Sequence, residues 1–129
     1  MALLSVAALY NLPNNTIISD TQVLKNRILR IKSQAIGYQK YGSDDYFCII
    51  LTKSALNQDS DKVKYTFKSD ISLSGLSGDT LCFDYLGRPF DSEVDENLTH
   101  LLHKKVIITL KYRTDEKNIT VFPISGEVN

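Results

Sequence analysis

The chain has 129 residues, of which 43% are hydrophobic and 23% charged, with 15 basic and 15 acidic side chains. This composition excludes intrinsic disorder and collagen-like repeats, and the length is enough for one domain with its own core. A formal net charge of zero provides no overall attraction to nucleic acid or anionic membrane. We therefore predict a single domain, residues 1–129.

The first residues form an apolar segment. MALLSVAALYNL (1–12) contains no charged side chain. It is too short to span a bilayer, which needs about 20 apolar residues, and it lacks the basic start of a secretory signal. Either this is a short apolar segment, or the chain begins part-way along a longer one.

Residues from Ile17 to about Tyr41 predict an amphipathic helix within an N-terminal region, 1–42. Ser19 and Gln22 match a capping box, and Gly42 suits the helix end. Apolar residues recur at helical spacing and form one face: Ile17, Leu24, Ile28, Ile31, Ala35 and Tyr38. The other face carries polar and basic residues: Lys25, Arg27, Arg30, Lys32 and Gln34.

The region 43–129 has the pattern of β-strands. Six apolar or alternating runs predict strands: YFCIILT (46–52), KVKYTF (62–67), ISLSGLSGD (71–79, a short strand and a turn), TLCFDY (80–85), VIITLKY (106–112) and NITVFPI (118–124). RTDEK (113–117) predicts the hairpin connection between the last two. One helix followed by antiparallel strands predicts an α+β fold in which the sheet packs against the helix.

The stretch TLCFDYLGRPFD (80–91) predicts a structural corner. Gly87 can supply the turn and Pro89 can fix the exit of the chain. The following segment, 91–105, predicts a crossing loop with one helical turn around Leu98, Leu101 and Leu102. Acids are dense across residues 84–96. We expect a solvated loop whose acids face the basic side of the helix, on this chain or a neighbour; a calcium loop is the weaker interpretation because the EF-hand spacing is absent.

Cys48 and Cys82 both fall inside predicted strands, where they can meet across a sheet. Two interpretations stay open: a disulfide, which implies an oxidising compartment, or two buried reduced thiols. Neither cysteine belongs to a CxxC pair, which argues against a redox or zinc site.

The chain contains none of the common catalytic motifs. A nucleophile elbow, a phosphate-binding glycine loop and HExxH are all absent from the sequence. His100 and His103 lack further ligands at metal-binding spacing. We predict no enzymatic activity, no cofactor, no metal site and no small-molecule substrate.

The order of segments resembles the type IV pilin and pseudopilin family. An apolar stretch leads into an amphipathic helix containing LKNRILRIKSQAIGYQK (24–40), and a β domain follows. CFDYLGRP (82–89) is similar to a strand–aromatic–Gly-Arg-Pro segment that precedes the final hairpin of minor pseudopilins of type II secretion and their minor-pilin relatives. The prepilin cleavage segment with its early glutamate is absent, so the resemblance implies an N-terminally truncated member.

This resemblance implies a pilin-like fold and a minor structural subunit of a periplasmic filament in type II secretion, type IV pilus or DNA-uptake machinery. The expected location is the bacterial inner membrane, facing the periplasm. The expected partners are other pilin or pseudopilin subunits and the inner membrane, reached through the missing half of the helix. Two alternatives stay open: a DNA-binding minor pilin that uses Lys111 and Arg113, or a periplasmic or secreted ligand-binding β domain.

Overall fold

The computed structural model describes residues 15–38, 47–58 and 65–129. These residues form two helices, α1 (Asn15–Tyr38) and the short α2 (Lys53–Asn57), and six strands: β1 (Cys48–Ile50), β2 (Asp70–Ser74), β3 (Thr80–Phe83), β4 (Pro89–Asp91), β5 (Val106–Tyr112) and β6 (Asp115–Val121). The prediction of an α+β fold with an N-terminal helix is confirmed. The predicted apolar segment 1–12 and the helix end at Gly42 lie outside the described residues.

The strands form two small sheets, with the orders β1-β3-β4 and β2-β5-β6. All four strand pairings are antiparallel. The β5–β6 hairpin turns on Arg113 and Thr114 alone, because Tyr112 already pairs with Asp115. The predicted connection 113–117 is therefore too long. After β6 the chain folds back on itself, so that Val128 bridges Val121.

The core lies between α1 and the sheets, with β5 and β6 as the main partners of the helix. The predicted apolar face is confirmed from Ile17 to Ala35, since Ile17, Leu24, Ile28 and Ala35 are fully buried and Ile31 packs against the core. The side chain of Tyr38 lies outside the described part of the structure. Alternation along β5 points its core residues at the helix: Val106, Ile108 and Leu110. Burial of each such large side chain contributes about 1.5–3 kcal/mol to the free energy of unfolding.

Two predictions about α1 are wrong. The helix begins at Asn15, so Ser19 lies in its second turn and cannot cap it. Arg27, assigned to the solvent face, is only 6% exposed. Its guanidinium donates to the Leu56 carbonyl at 2.8 Å and lies 5.0 Å from the centre of the Phe67 ring. A long alkyl stem lets arginine cover apolar surface while its charged end stays hydrogen-bonded.

The predicted strand 46–52 is shorter in the structure and is followed by a helix that the sequence patterns missed. The Thr52 side chain accepts a hydrogen bond from the Ala55 backbone and caps α2, which stops β1 at Ile50. Ile50 is 49% exposed, so β1 is not buried on both faces.

The predicted strand 62–67 is wrong for the part that the structure describes. Residues 65–67 pair with no strand, and the Asn57 side chain instead bonds both backbone polar groups of Phe67. The structure also adds β4, in a part of the chain for which the sequence predicts a corner and a crossing loop. No helical turn forms between 91 and 105; Leu101 bridges Phe90 there.

Candidate functional site

The predicted corner between β3 and β4 is built around the carboxylate of Asp84, which is 2% exposed. One carboxylate oxygen accepts the backbone N–H groups of Leu86 at 3.0 Å and Arg88 at 2.8 Å. The other oxygen accepts the Arg88 side chain through Nε at 2.7 Å and Nη2 at 2.6 Å. Four donors on one buried carboxylate compensate its desolvation and hold the corner in one shape. The predicted corner forms at this stretch, but Asp84 is buried in it, contrary to the expectation that the acids across 84–96 are solvated.

Two glycines let three segments meet at this corner. Gly87 has φ +80°, and a Cβ there would lie 3.0 Å from Lys32 Cε and 3.1 Å from Ile36 Cδ1 on α1. Gly126 has φ +68°, and a Cβ there would overlap the Gly87 carbonyl oxygen. The Lys32 ammonium donates to the carbonyls of Ser125 at 3.4 Å and Gly126 at 3.0 Å. The helix, the corner and the C-terminal loop are therefore locked together.

Large apolar side chains are exposed around this junction. Ile36 is 44% exposed, Leu86 58% and Ile124 52%. Leu29 is also exposed and lies two helical turns before Ile36 on the same side of α1. We call this group, together with the flanking Lys25 and Lys32, the junction surface.

Ile124 adds backbone strain to the junction surface. Its φ is +69°, a left-handed conformation that is unfavourable for a β-branched residue. The Ser125 N–H donates to the Pro123 carbonyl at 2.7 Å, which closes a tight γ-turn with Ile124 at its centre. The turn holds an apolar side chain in solvent at a cost of about 1–3 kcal/mol.

The two cysteines form a disulfide between β1 and β3. Cys48 and Cys82 are directly opposite in the strand register, with their Cα atoms 4.0 Å apart. Of the two interpretations left open by the sequence, the structure contains the disulfide. The bridge closes a loop with a sequence separation of 34, which corresponds to about 4 kcal/mol of stabilisation in the chain-entropy model.

A second buried carboxylate, Asp20 on α1, was missed by the sequence analysis. It accepts the Tyr65 hydroxyl at 2.6 Å, the Ser69 hydroxyl at 2.6 Å and the backbone N–H groups of Lys68 and Ser69 at 3.1 and 2.8 Å. Burial, then the hydrogen bond to Asp20, raises the pKa of Tyr65 to about 12. The available signal was an acid three residues after Ile17 and four before Leu24, inside the apolar face. Asp20 anchors the segment that precedes β2.

The acids at the end of β4 and in the loop after it contact polar groups of the same chain. Asp91 accepts the backbone N–H and hydroxyl of Ser77, and Asp95 accepts both corresponding groups of Thr99. The Nδ1 atom of His100 lies 3.3 Å from Asp95 and 3.6 Å from Glu93. Within the described ranges, no three His, Cys, Asp or Glu side chains are placed to hold a metal ion.

Lys111 and Arg113, the predicted DNA contacts, lie at the tip of the β5–β6 hairpin. Lys111 is directly opposite Glu116 in the register. The Arg113 guanidinium lies 5.2 Å from the centre of the Tyr112 ring. The acidic residue opposite Lys111 weakens the local positive potential at the hairpin tip.

Comparison with known protein families, with curated proteins and with solved structures finds no match to this chain. Among the helices that the structure describes, none has both the length and the hydropathy to cross a membrane. Both buried carboxylates described above, Asp20 and Asp84, accept hydrogen bonds from backbone N–H groups and so stabilise the fold. The junction surface is the candidate site for binding a partner.

Proposed function

We propose that this chain is a minor pilin-like or pseudopilin subunit that acts by assembling into a periplasmic filament. The filament would belong to a type II secretion, type IV pilus or DNA-uptake machine. The observation that carries this proposal is the junction surface, where exposed Ile36, Leu86 and Ile124 surround a rigid contact of helix, corner and C-terminal loop. Rigid surfaces with large exposed apolar side chains are typical of protein–protein contacts.

The outer face of α1 supports the same proposal. Ile18, Leu29 and Ile36 are all exposed, and their spacing of eleven and seven residues aligns them within about 20° around the helix axis. This stripe follows the apolar sequence 1–12 that precedes the helix. In a filament subunit, the stripe would pack on neighbouring subunits, and an apolar extension on the N-terminal side would connect the subunit to the inner membrane.

The disulfide supports an extracytoplasmic location. Disulfides persist mainly in oxidising compartments such as the bacterial periplasm. The Cys48–Cys82 bridge joins the short strands β1 and β3, so its loss would directly destabilise the β1-β3-β4 sheet. A periplasmic filament subunit would keep this bridge oxidised.

Cross-linking in the bacterium that encodes the chain tests this function. A photo-cross-linking amino acid at Leu29, in the otherwise native full-length protein, should capture other filament subunits. The same group at Ser72, exposed on β2, is the matched control and should capture much less. Deletion of the gene should impair secretion, piliation or DNA uptake. Loss of none of these processes, together with no captured envelope subunit, would refute the proposal.

The DNA-binding alternative has less support, because Glu116 is opposite Lys111 at the hairpin tip. It predicts a gel shift with double-stranded DNA that weakens steeply as salt rises. Replacing Lys111 and Arg113 together with glutamate should then abolish the shift. No shift by the unmodified protein at low salt would remove this alternative.

A further inference from the structure

A second exposed surface lies in the loop that follows β4. It combines the acids Glu93, Asp95 and Glu96 with Leu98, which is 36% exposed. Leu98 has φ +58°, so this loop, like the junction surface, displays a large apolar residue from a left-handed backbone position. We call these four residues the loop surface.

The two surfaces lie at opposite ends of the β3–β4 hairpin. Asp84 to Arg88 connect the strands at the end where Phe83 pairs with Pro89. The loop surface leaves from the other end, where Leu81 pairs with Asp91 and the Ser92 N–H donates to the Thr80 carbonyl. The corner and the loop surface are therefore separated by the length of the paired strands.

The charges of the two surfaces are complementary. Lys25 and Lys32 lie on the same side of α1 as Leu29 and Ile36, whereas Glu93, Asp95 and Glu96 precede Leu98 in its loop. Two junction surfaces facing each other would bring lysines together, and like charges in an interface are unfavourable. With a formal net charge of zero, two copies of the chain experience no net repulsion at long range.

We propose that copies of this chain join head to tail, with the junction surface of one copy against the loop surface of the next. This inference rests on the proposed function and specifies its contact. The contact is heterologous, because each copy uses a different surface on each side, so it can repeat along an open chain of subunits. Contact between the charged groups sets its direction, and the apolar side chains of both surfaces lose their exposure in it.

Carbodiimide cross-linking of the full chain tests this contact, since it joins a lysine to a carboxylate only where the two touch. A mixture of ¹⁴N- and ¹⁵N-labelled protein identifies the links that form between copies. We expect links from Lys25 or Lys32 to Glu93 or Glu96 at low ionic strength, and a loss of at least about tenfold in 1 M salt, where the Debye length is about 3 Å. Absence of these links from the unmodified protein overturns the proposal.

Charge-reversal variants provide a control that reports on folding as well. The first variant carries Lys25→Glu with Leu86→Glu, and the second carries Glu93→Lys with Glu96→Lys. Lys32 is kept because it holds the C-terminal loop.

Each variant alone should lose the links between copies by about tenfold or more, because like charges then face each other. An equal mixture should restore them with exchanged partners, which an unfolded variant could not do. Retained links in either single variant, or no restoration in the mixture, would count against the contact.

The outcome for this contact is separable from that for the proposed function. If the chain captures other envelope subunits through Leu29 in cells but forms none of the lysine–glutamate links between its own copies, the proposed function stands and the head-to-tail contact is refuted. In that case the neighbours on both sides are different proteins. If the links form in solution but deletion of the gene impairs none of secretion, piliation and DNA uptake, the filament function is refuted instead.

Discussion

Replacing Gly126 with alanine should destabilise the protein by about 3 kcal/mol. Gly126 has φ +68°, and this left-handed conformation costs an ordinary L-residue about 1–2 kcal/mol. The added Cβ would also overlap the Gly87 carbonyl oxygen, so the C-terminal loop must move away from the corner. That movement breaks the hydrogen bonds from Lys32 to the loop, and a bond from a charged donor contributes about 1.5–3 kcal/mol.

Reversible urea unfolding, followed by circular dichroism, measures this loss. At 129 residues, 3 kcal/mol corresponds to a melting temperature about 10 °C lower, out of a total stability of about 5–15 kcal/mol. Gly78→Ala is the matched control, because nothing lies within 4 Å of a Cβ at Gly78. We expect this control to change stability by less than about 1 kcal/mol. If the two alanine variants unfold within 0.5 kcal/mol of each other, roughly the effect of a neutral surface substitution, the junction does not lock the loop as described.

Three further predictions concern the disulfide, the buried hydrogen bond and the strained turn. Replacing both Cys48 and Cys82 with serine should lower stability by about 4 kcal/mol, and reduction of the native protein should lower it comparably in the same urea assay. The pKa of Tyr65 is raised to about 12 in the folded protein, from about 10 in the unfolded chain. The contribution of its hydroxyl to the free energy of unfolding is therefore complete below pH 10 and is lost as pH rises through 12. Tyr65→Phe should remove that part of the pH dependence of stability. Ile124→Asn should leave stability unchanged or raise it by up to about 1 kcal/mol, since asparagine tolerates positive φ, while it weakens association between copies. A stability loss above 1 kcal/mol would show that the turn is not strained.

Local patterns predicted the elements whose burial is one-sided. The helix face of Ile17, Leu24 and Ile28 is set by spacing, and β5 coincides with VIITLKY (106–112). The turn at Gly87 was predictable because few other residues adopt its backbone conformation. These features depend on residues close together in the sequence.

Features set by distant side chains were not predictable from the sequence. The segment 65–67 alternates like a strand, but Asn57 and Asp20 bind its backbone and hydroxyl groups in place of a neighbouring strand. Arg27 and Asp20 are buried because partners from α2 and from the segment before β2 satisfy them. Hydropathy alone assigns such residues to solvent, since it contains no information about a partner 29 or 49 positions away.

The candidate site was only half predictable for the same reason. Gly87 and Pro89 predict the corner from local sequence, but they do not predict the buried pair of Asp84 and Arg88 within it. Its contact with Lys32 and the C-terminal loop joins positions separated by 93 and 94 residues, and no local pattern encodes that. The sequence analysis places Ile36 in the helix, Leu86 in the corner and Ile124 in the strand 118–124, whereas the last strand ends at Val121. The three side chains belong to one surface only through the fold.

Folding alone does not account for the exposed apolar residues in strained turns. Ile124 and Leu98 combine solvent exposure with positive φ, and each of these properties lowers the stability of an isolated domain. Glycine or asparagine at either position would fold with less strain. This loss of stability is explained if both side chains are buried in a contact with another molecule, because association then removes from water the apolar surface that folding leaves exposed. The two positions lie on surfaces of opposite charge at opposite ends of one hairpin, which is the arrangement that a repeating head-to-tail contact requires.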